Sequence, residues 1–125
     1  MRRILFATVA HENQRYPTVG DYQEGHGVTL FTISDMHNDL YEELVAVHEL
    51  VEYIIVKARG IPVEAIDKFD IEYEKARLQF DESEPGDHPD APYRAAHQFA
   101  TKVEQMLAAE LDVEWDQYDK TVTAL

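Results

Sequence analysis

The chain of 125 residues carries 25 Asp and Glu against 11 Lys and Arg, a formal net charge of −14, with 45% apolar residues, six His and no Cys. That apolar content suits one core in a single domain over residues 1–125 and argues against disorder despite the charge. The composition excludes disulfides, thiol catalysis and thiolate metal sites, disfavours nucleic acid and anionic lipid as partners, and offers nothing near the roughly 18 apolar residues of a membrane span.

The opening Met1-Arg2-Arg3-Ile4-Leu5-Phe6 is basic and then apolar but turns polar too soon for a signal peptide, so a cytoplasmic address is expected. Ile4 to Val9 reads as a first strand and His11 to Gln23 as a polar connection. Val28 to Ile33, rich in β-branched and aromatic residues, reads as a second strand, with Gly25 and Gly27 suited to a turn before it. Ser34-Asp35 or Asn38-Asp39 caps a helix from Asp39 to Arg59, with Glu42 and Glu43 in its first turn and Gly60 and Pro62 as its stop. A second helix spans Val63 to Phe80 with a core stripe of Ile66, Phe69, Tyr73, Ala76 and Phe80. Asp81 to Asp90 is a turn or loop. A third helix runs from Ala91 to Leu111 with Phe99, Val103, Met106 and Leu107 on one side, and Val113 to Leu125 adds a short helix at most. The expected class is α+β: an N-terminal two-stranded segment followed by three main helices, helix-dominated.

The strongest chemical signal is His48-Glu49-Leu50-Val51-Glu52 in the first helix. At 100° per residue, His48 and Glu52 share one edge of an apolar sector formed by Leu44, Val47, Val51 and Ile55. A carboxylate in such a place needs a partner or a metal. Spacing i,i+4 aims an imidazole and a carboxylate at one point, as the two His do in His-Glu-x-x-His zinc helices. Glu49, beside the first ligand, is then the candidate catalytic residue, a general base acting on metal-bound water. A strand directly before the helix adds to this zincin-like likeness. The third metal ligand is expected to be His97 on the third helix, with Glu104 seven residues on along the same side. His88, with Asp87 beside it, is the alternative, and His11, His26 and His37 fall in loops or caps. Zinc is the favoured divalent metal, iron and manganese being competent with the same ligands. The plainer reading has His48 hydrogen-bonded to Glu52 or Asp70 in a polar core.

Two further patterns compete. Glu49-x-x-Glu52 and Asp67-x-x-Asp70 place acidic pairs on successive helices, which suits magnesium. They resemble the pairs of all-α nucleotide pyrophosphohydrolases of the MazG kind, which implies cleavage of nucleoside triphosphates. The charge is also uneven: residues 1–60 hold 9 acids and 5 bases (net −4) and residues 61–125 hold 16 and 6 (net −10). That suits a solvated face, or a non-enzymatic acidic protein that covers a basic host factor or mimics DNA. Asp70 and Arg77 fall in the second helix's inner stripe, where a pair bridging to Glu52 or Glu74 is expected. Asn13 to Tyr22 mixes Tyr, Arg and Asp as site-lining loops do.

The run Gln14-Arg15-Tyr16-Pro17-Thr18-Val19-Gly20-Asp21-Tyr22, then His48 to Glu52, Gly60-Ile61, Phe69-Asp70, Glu84-Pro85-Gly86-Asp87, Ala91-Pro92-Tyr93-Arg94 and His97 resembles a group of small bacteriophage and prophage proteins along nearly the whole chain. The resemblance implies expression inside a bacterial cell and no particular activity. The leading expectation is a metal-binding domain with hydrolase chemistry. Its partner is an unidentified substrate or host protein, without nucleic acid or membrane, and with room for a homo-oligomer.

Overall fold

The computed structural model describes residues 1–125. Three strands, β1 (Arg3–Val9), β2 (Gly20–Gly25) and β3 (Val28–Ser34), precede four helices, α1 (Asp39–Ala58), α2 (Val63–Ala76), α3 (Arg94–Glu110) and α4 (Trp115–Thr123). The class is α+β as expected, with three strands in place of two and four helices in place of three. No helix is long and apolar enough to cross a membrane.

β3 is the middle strand. It pairs parallel with β1, Phe6 opposite Phe31, and antiparallel with β2, Tyr22 opposite Phe31. The β2–β3 hairpin turns on His26 and Gly27, both at positive φ (53° and 76°), as a two-residue turn matched to strand twist demands. The sequence Gly-Asp-Tyr-Gln-Glu-Gly lacks the apolar alternation of a strand, which is why β2 reads as connection. It becomes a strand by adding to an edge of β3, where Tyr22 packs on Phe31 and Tyr53 with ring centroids 6.2 and 5.4 Å apart.

Asn38 caps α1 by accepting from the Tyr41 N–H at 3.1 Å. The helix ends in a Schellman turn: the Gly60 N–H donates to the Lys57 carbonyl and the Ile61 N–H to the Val56 carbonyl, with Gly60 at φ 69°. α2 stops at Ala76, one turn short of expectation. Arg77 leaves the helix because its guanidinium takes both oxygens of Glu74 (2.7 and 2.8 Å) and the carbonyls of Asp81 and Ser83. Phe80, expected in the core, is 90% exposed.

α3 also turns a different face inward from the one its large residues suggest. Ala96, His97, Ala100, Glu104 and Ala108 are buried, whereas Phe99 and Met106 face solvent. The alanines let α3 lie close against α1, and that contact carries the polar groups of the site. One apolar cluster gathers Tyr22, Phe31, Tyr53, Val56 and Ile66, and a second gathers Ile33, Leu44, Val45, Ala108 and Tyr118. On α1 the residues between the two clusters are His48, Glu49 and Glu52, all buried.

Candidate metal centre

His48 Nε2, His97 Nδ1 and Glu52 Oε2 form a triangle. The two nitrogens are 3.2 Å apart, His48 lies 3.2 Å from the carboxylate oxygen, and His97 lies 3.1 Å from it. Tetrahedral ligand atoms about 2.05 Å from one ion sit about 3.3 Å apart and octahedral neighbours about 2.9 Å apart, so the triangle fits one face of either. The three predicted ligands are therefore brought together, from one turn of α1 and the first turn of α3, as a set of three buried metal-competent groups.

The remaining atoms of each group are already engaged. The outer nitrogen of His48, Nδ1, lies 2.8 Å from Glu104 Oε1, and Tyr118 donates its hydroxyl to Glu104 Oε2 at 2.5 Å. The outer nitrogen of His97, Nε2, lies 2.7 Å from Glu84 Oε2. Tyr22 donates to Glu52 Oε1 at 2.9 Å. A carboxylate only accepts, so each outer nitrogen donates its proton to the carboxylate behind it, and the inner nitrogens, facing the Glu52 Oε2 acceptor, are where a metal ion would take the place of protons. Carboxylate–histidine pairs of this kind orient metal-ligating imidazoles and raise their basicity.

The electrostatics call for positive charge at the triangle's centre. Burial disfavours the His48 and His97 cations, yet hydrogen bonds outweigh it, from Glu104 and Glu52 for His48 and from Glu52 and Glu84 for His97. His48 is held well above the ordinary imidazole range and His97 rises to about 10. Burial also opposes the Glu52 charge, but the hydrogen bonds of His48 and His97 bring that carboxyl down to about 2. Protons on the inner nitrogens meet that demand by sharing the single Glu52 oxygen between two rings. The spacing of the three atoms would also let one divalent cation meet all of them.

Glu49 is buried, and burial with the neighbouring Glu52 charge holds its carboxyl well above the usual range. It lines a cavity of about 420 Å³ that also borders the three ligands. Two glycines make room for this arrangement. A Cβ at Gly20 would sit 2.6 Å from Glu49 Cγ, and one at Gly86 would sit 2.6 Å from His97 Nδ1. Neither glycine has a positive φ, so each is needed for close approach alone.

The other candidates do not join the triangle. His88 packs against Phe69 and Tyr73 and accepts the Asp90 N–H, so it is no third ligand. Asp87 Oδ1 is 3.6 Å from the outer nitrogen of His97. His11 contacts Ser34 at 2.9 Å, and His26 and His37 occupy positive-φ positions. Asp67 pairs with Arg15, and Asp70 accepts from Tyr93 and Tyr16, so no three of Glu49, Glu52, Asp67 and Asp70 converge within 4.8 Å. Arg77 joins Glu74, one of its two expected partners, and not Asp70. The polar groups that support the site were only half legible beforehand. Glu104 stood at the right spacing from His97. Tyr22 ends the Asn13–Tyr22 run whose mixture of Tyr, Arg and Asp suits a site lining, whereas Glu84 and Tyr118, 13 and 21 residues from His97 in the sequence, had no local pattern to mark them. The chain matches no protein-family model, curated protein or solved structure.

Proposed function

We propose that the protein is a metal-dependent hydrolase in which His48, Glu52 and His97 hold one divalent cation, zinc first, and Glu49 is the general base. One observation carries this reading: three ligand atoms converge within 3.1–3.2 Å while both outer imidazole nitrogens are tied to carboxylates. Two imidazoles and a carboxylate form the donor set of hydrolytic zinc centres, which keep a further position for water or substrate. The cavity bordered by Glu49 provides the space for it.

The cation would supply Lewis acidity to the substrate's acyl oxygen. Glu49, in its role as base, would be held nearer its ionised form beside such a cation. Glu49 takes a proton from the attacking water as the water oxygen bonds to the acyl carbon. It returns that proton to the leaving group as the C–N or C–O bond breaks. Glu84, Glu104 and Tyr22 hold the ligands in place. The bacteriophage setting implied by the sequence resemblance would put this activity inside a bacterial cell. The competing reading, a non-enzymatic acidic binder, draws on surface charge alone and leaves the converging ligands without a role.

Elemental analysis of untagged protein reconstituted with zinc tests the reading. One zinc per chain is expected in the wild type and none in His48→Ala or His97→Ala. Glu49→Gln should keep the metal and lose at least about 100-fold of turnover on activated esters and amides, the usual scale of general-base catalysis. Wild-type protein that takes up no metal would sink the proposal, as would full turnover by Glu49→Gln.

A further inference from the structure

Ten carboxyl side chains border the cavity, and eight of them are either satisfied by a cation or open to solvent. Asp21 and Asp67 share Arg15 at 2.7 and 3.1 Å, and Glu74 holds Arg77 at 2.7 Å, with Asp81 3.9 Å from the same guanidinium. Glu52, Glu84 and Glu104 contact the two imidazoles, and Glu82 is exposed. Glu49 and Asp70 remain. Glu49 is 9% exposed and Asp70 7% exposed, and neither has a cationic partner.

The two differ in a useful way. Glu49 has no hydrogen-bond partner in the chain; its carboxyl lies against Gly20, neither oxygen is fully enclosed, and the residue lines the cavity. Asp70 accepts the Tyr93 hydroxyl at 2.5 Å and the Tyr16 hydroxyl at 3.2 Å, and each of its oxygens keeps a free lone pair. A buried carboxyl without counter-charge either holds a proton or takes a cation that comes to it, and the open cavity gives such a cation access to both groups. Neither group belongs to a set of three ligand-competent atoms within 4.8 Å, so a second metal ion has no cage here. A cation on a carbon skeleton needs no such cage. It needs hydrogen-bond acceptors and aromatic walls, which Tyr16, Tyr22 and Tyr93 supply.

We propose that the substrate of this site carries a protonated amine, which Asp70 receives between Tyr16 and Tyr93 while the bond to be cut lies at Glu49 and the His48–Glu52–His97 triangle. The second half rests on the hydrolase reading; the recognition of the amine does not. Tyr93 joins the two halves of the cavity. Its ring stands edge-on to His97 with centroids 6.1 Å apart, and its hydroxyl holds Asp70. The carboxyl-rich wall that attracts an ammonium group also repels phosphate, so an anionic nucleotide is the substrate class this cavity disfavours.

Calorimetric titration of zinc-reconstituted protein tests this with three probes: leucinamide, its N-acetylated uncharged form, and inorganic pyrophosphate. Leucinamide should bind at least about tenfold more tightly than the acetylated form, the scale of one charge-assisted hydrogen bond. Pyrophosphate should bind weakest. Asp70→Asn, which keeps an acceptor for Tyr93, should lose the preference for leucinamide while holding zinc at wild-type stoichiometry. Equal binding of the two amides by the wild type, preferred binding of pyrophosphate, or an undiminished preference in Asp70→Asn would overturn the proposal. The wild-type comparison decides even if the variant does not fold. Zinc uptake without amine preference defeats this inference alone, whereas amine preference without zinc uptake defeats the hydrolase reading alone.

Discussion

Gly86→Ala adds one methyl group and removes no donor from the metal centre, so it tests the geometry by itself. Gly86 is buried in the 3-10 turn Pro85–Asp87, and its backbone conformation suits alanine. The added Cβ would lie 2.6 Å from His97 Nδ1 and 2.8 Å from Cδ2. Carbon and nitrogen atoms rest at about 3.5 Å or more, so the ring or the turn must give by roughly 1 Å. The ring has little room to retreat. The His48 ring stands edge-on to it at 4.8 Å, Tyr93 at 6.1 Å, and Glu84 holds its outer nitrogen at 2.7 Å. A competent metal site tolerates displacements of about 0.2 Å, so a shift of roughly 1 Å in a ligand nitrogen should cost at least about 100-fold in zinc affinity. Overpacking should also destabilise the metal-free fold by about 1–3 kcal/mol, or about 4–12 °C in Tm for a chain of this size. Zinc competition against a chromophoric chelator and thermal melts by circular dichroism measure the two effects. Gly25→Ala is the matched control, because a Cβ there meets nothing within 4 Å. Zinc affinity in Gly86→Ala within about threefold of the wild type would refute the assignment of His97 Nδ1 as a ligand, since ligand displacements on this scale do not go unnoticed.

The other expected outcomes follow from the same geometry. Glu104→Gln should weaken zinc binding about 10- to 100-fold, the usual effect of removing a carboxylate behind a metal-bound imidazole, and isothermal titration reads it directly. Zinc at 100 times its Kd should stabilise the wild type by about 2.7 kcal/mol, about 10 °C in Tm, and leave His48→Ala unmoved, which calorimetric scans with zinc and with EDTA will show. The third concerns Asp70, whose carboxyl is raised to about 7 by burial first and by the Glu52 and Asp67 charges, against the Tyr93 and Tyr16 hydrogen bonds. A folded pKa above the unfolded one means that the native state keeps its proton longer, so stability falls as pH rises from about 4 to about 7 and then levels off, by up to about 4 kcal/mol. Metal-free Asp70→Asn should therefore melt above the wild type at pH 8 and lose that advantage at pH 4. An equal gap at both pH values would contradict the assignment.

How far the site was legible follows from the range over which sequence patterns act. His48 and Glu52 are four residues apart on one helix, so helical geometry alone aims them at a common point, and Glu49 follows from adjacency. His97 was reachable because it and Glu104 share one side of another helix. The ring of supporting groups was not. Glu84 comes from a loop, Tyr22 from a strand that exists only through pairing with β3, and Tyr118 from a terminal helix. Hydrophobicity also misled on α3 and α2. Phe99, Met106 and Phe80 are exposed because α3 turns its alanines to α1 and Arg77 ends α2 early.

The amino-acid sequence by itself determined the α+β class, the extents of α1 and β3, the absence of any thiol ligand and the local pairing of His48 with Glu52. Those features depend on composition or on neighbours within a turn or two, where backbone geometry leaves little choice. Only the tertiary structure decided that His97 closes the triangle, that Gly20 and Gly86 are the clearances beside it, and that Glu49 and Asp70 remain without a cation in a shared cavity. Each of these depends on segments tens of residues apart meeting to within a few tenths of an ångström. Such distances are set by the packing of α3 on α1 and of β2 on β3, which no periodicity along a single segment encodes.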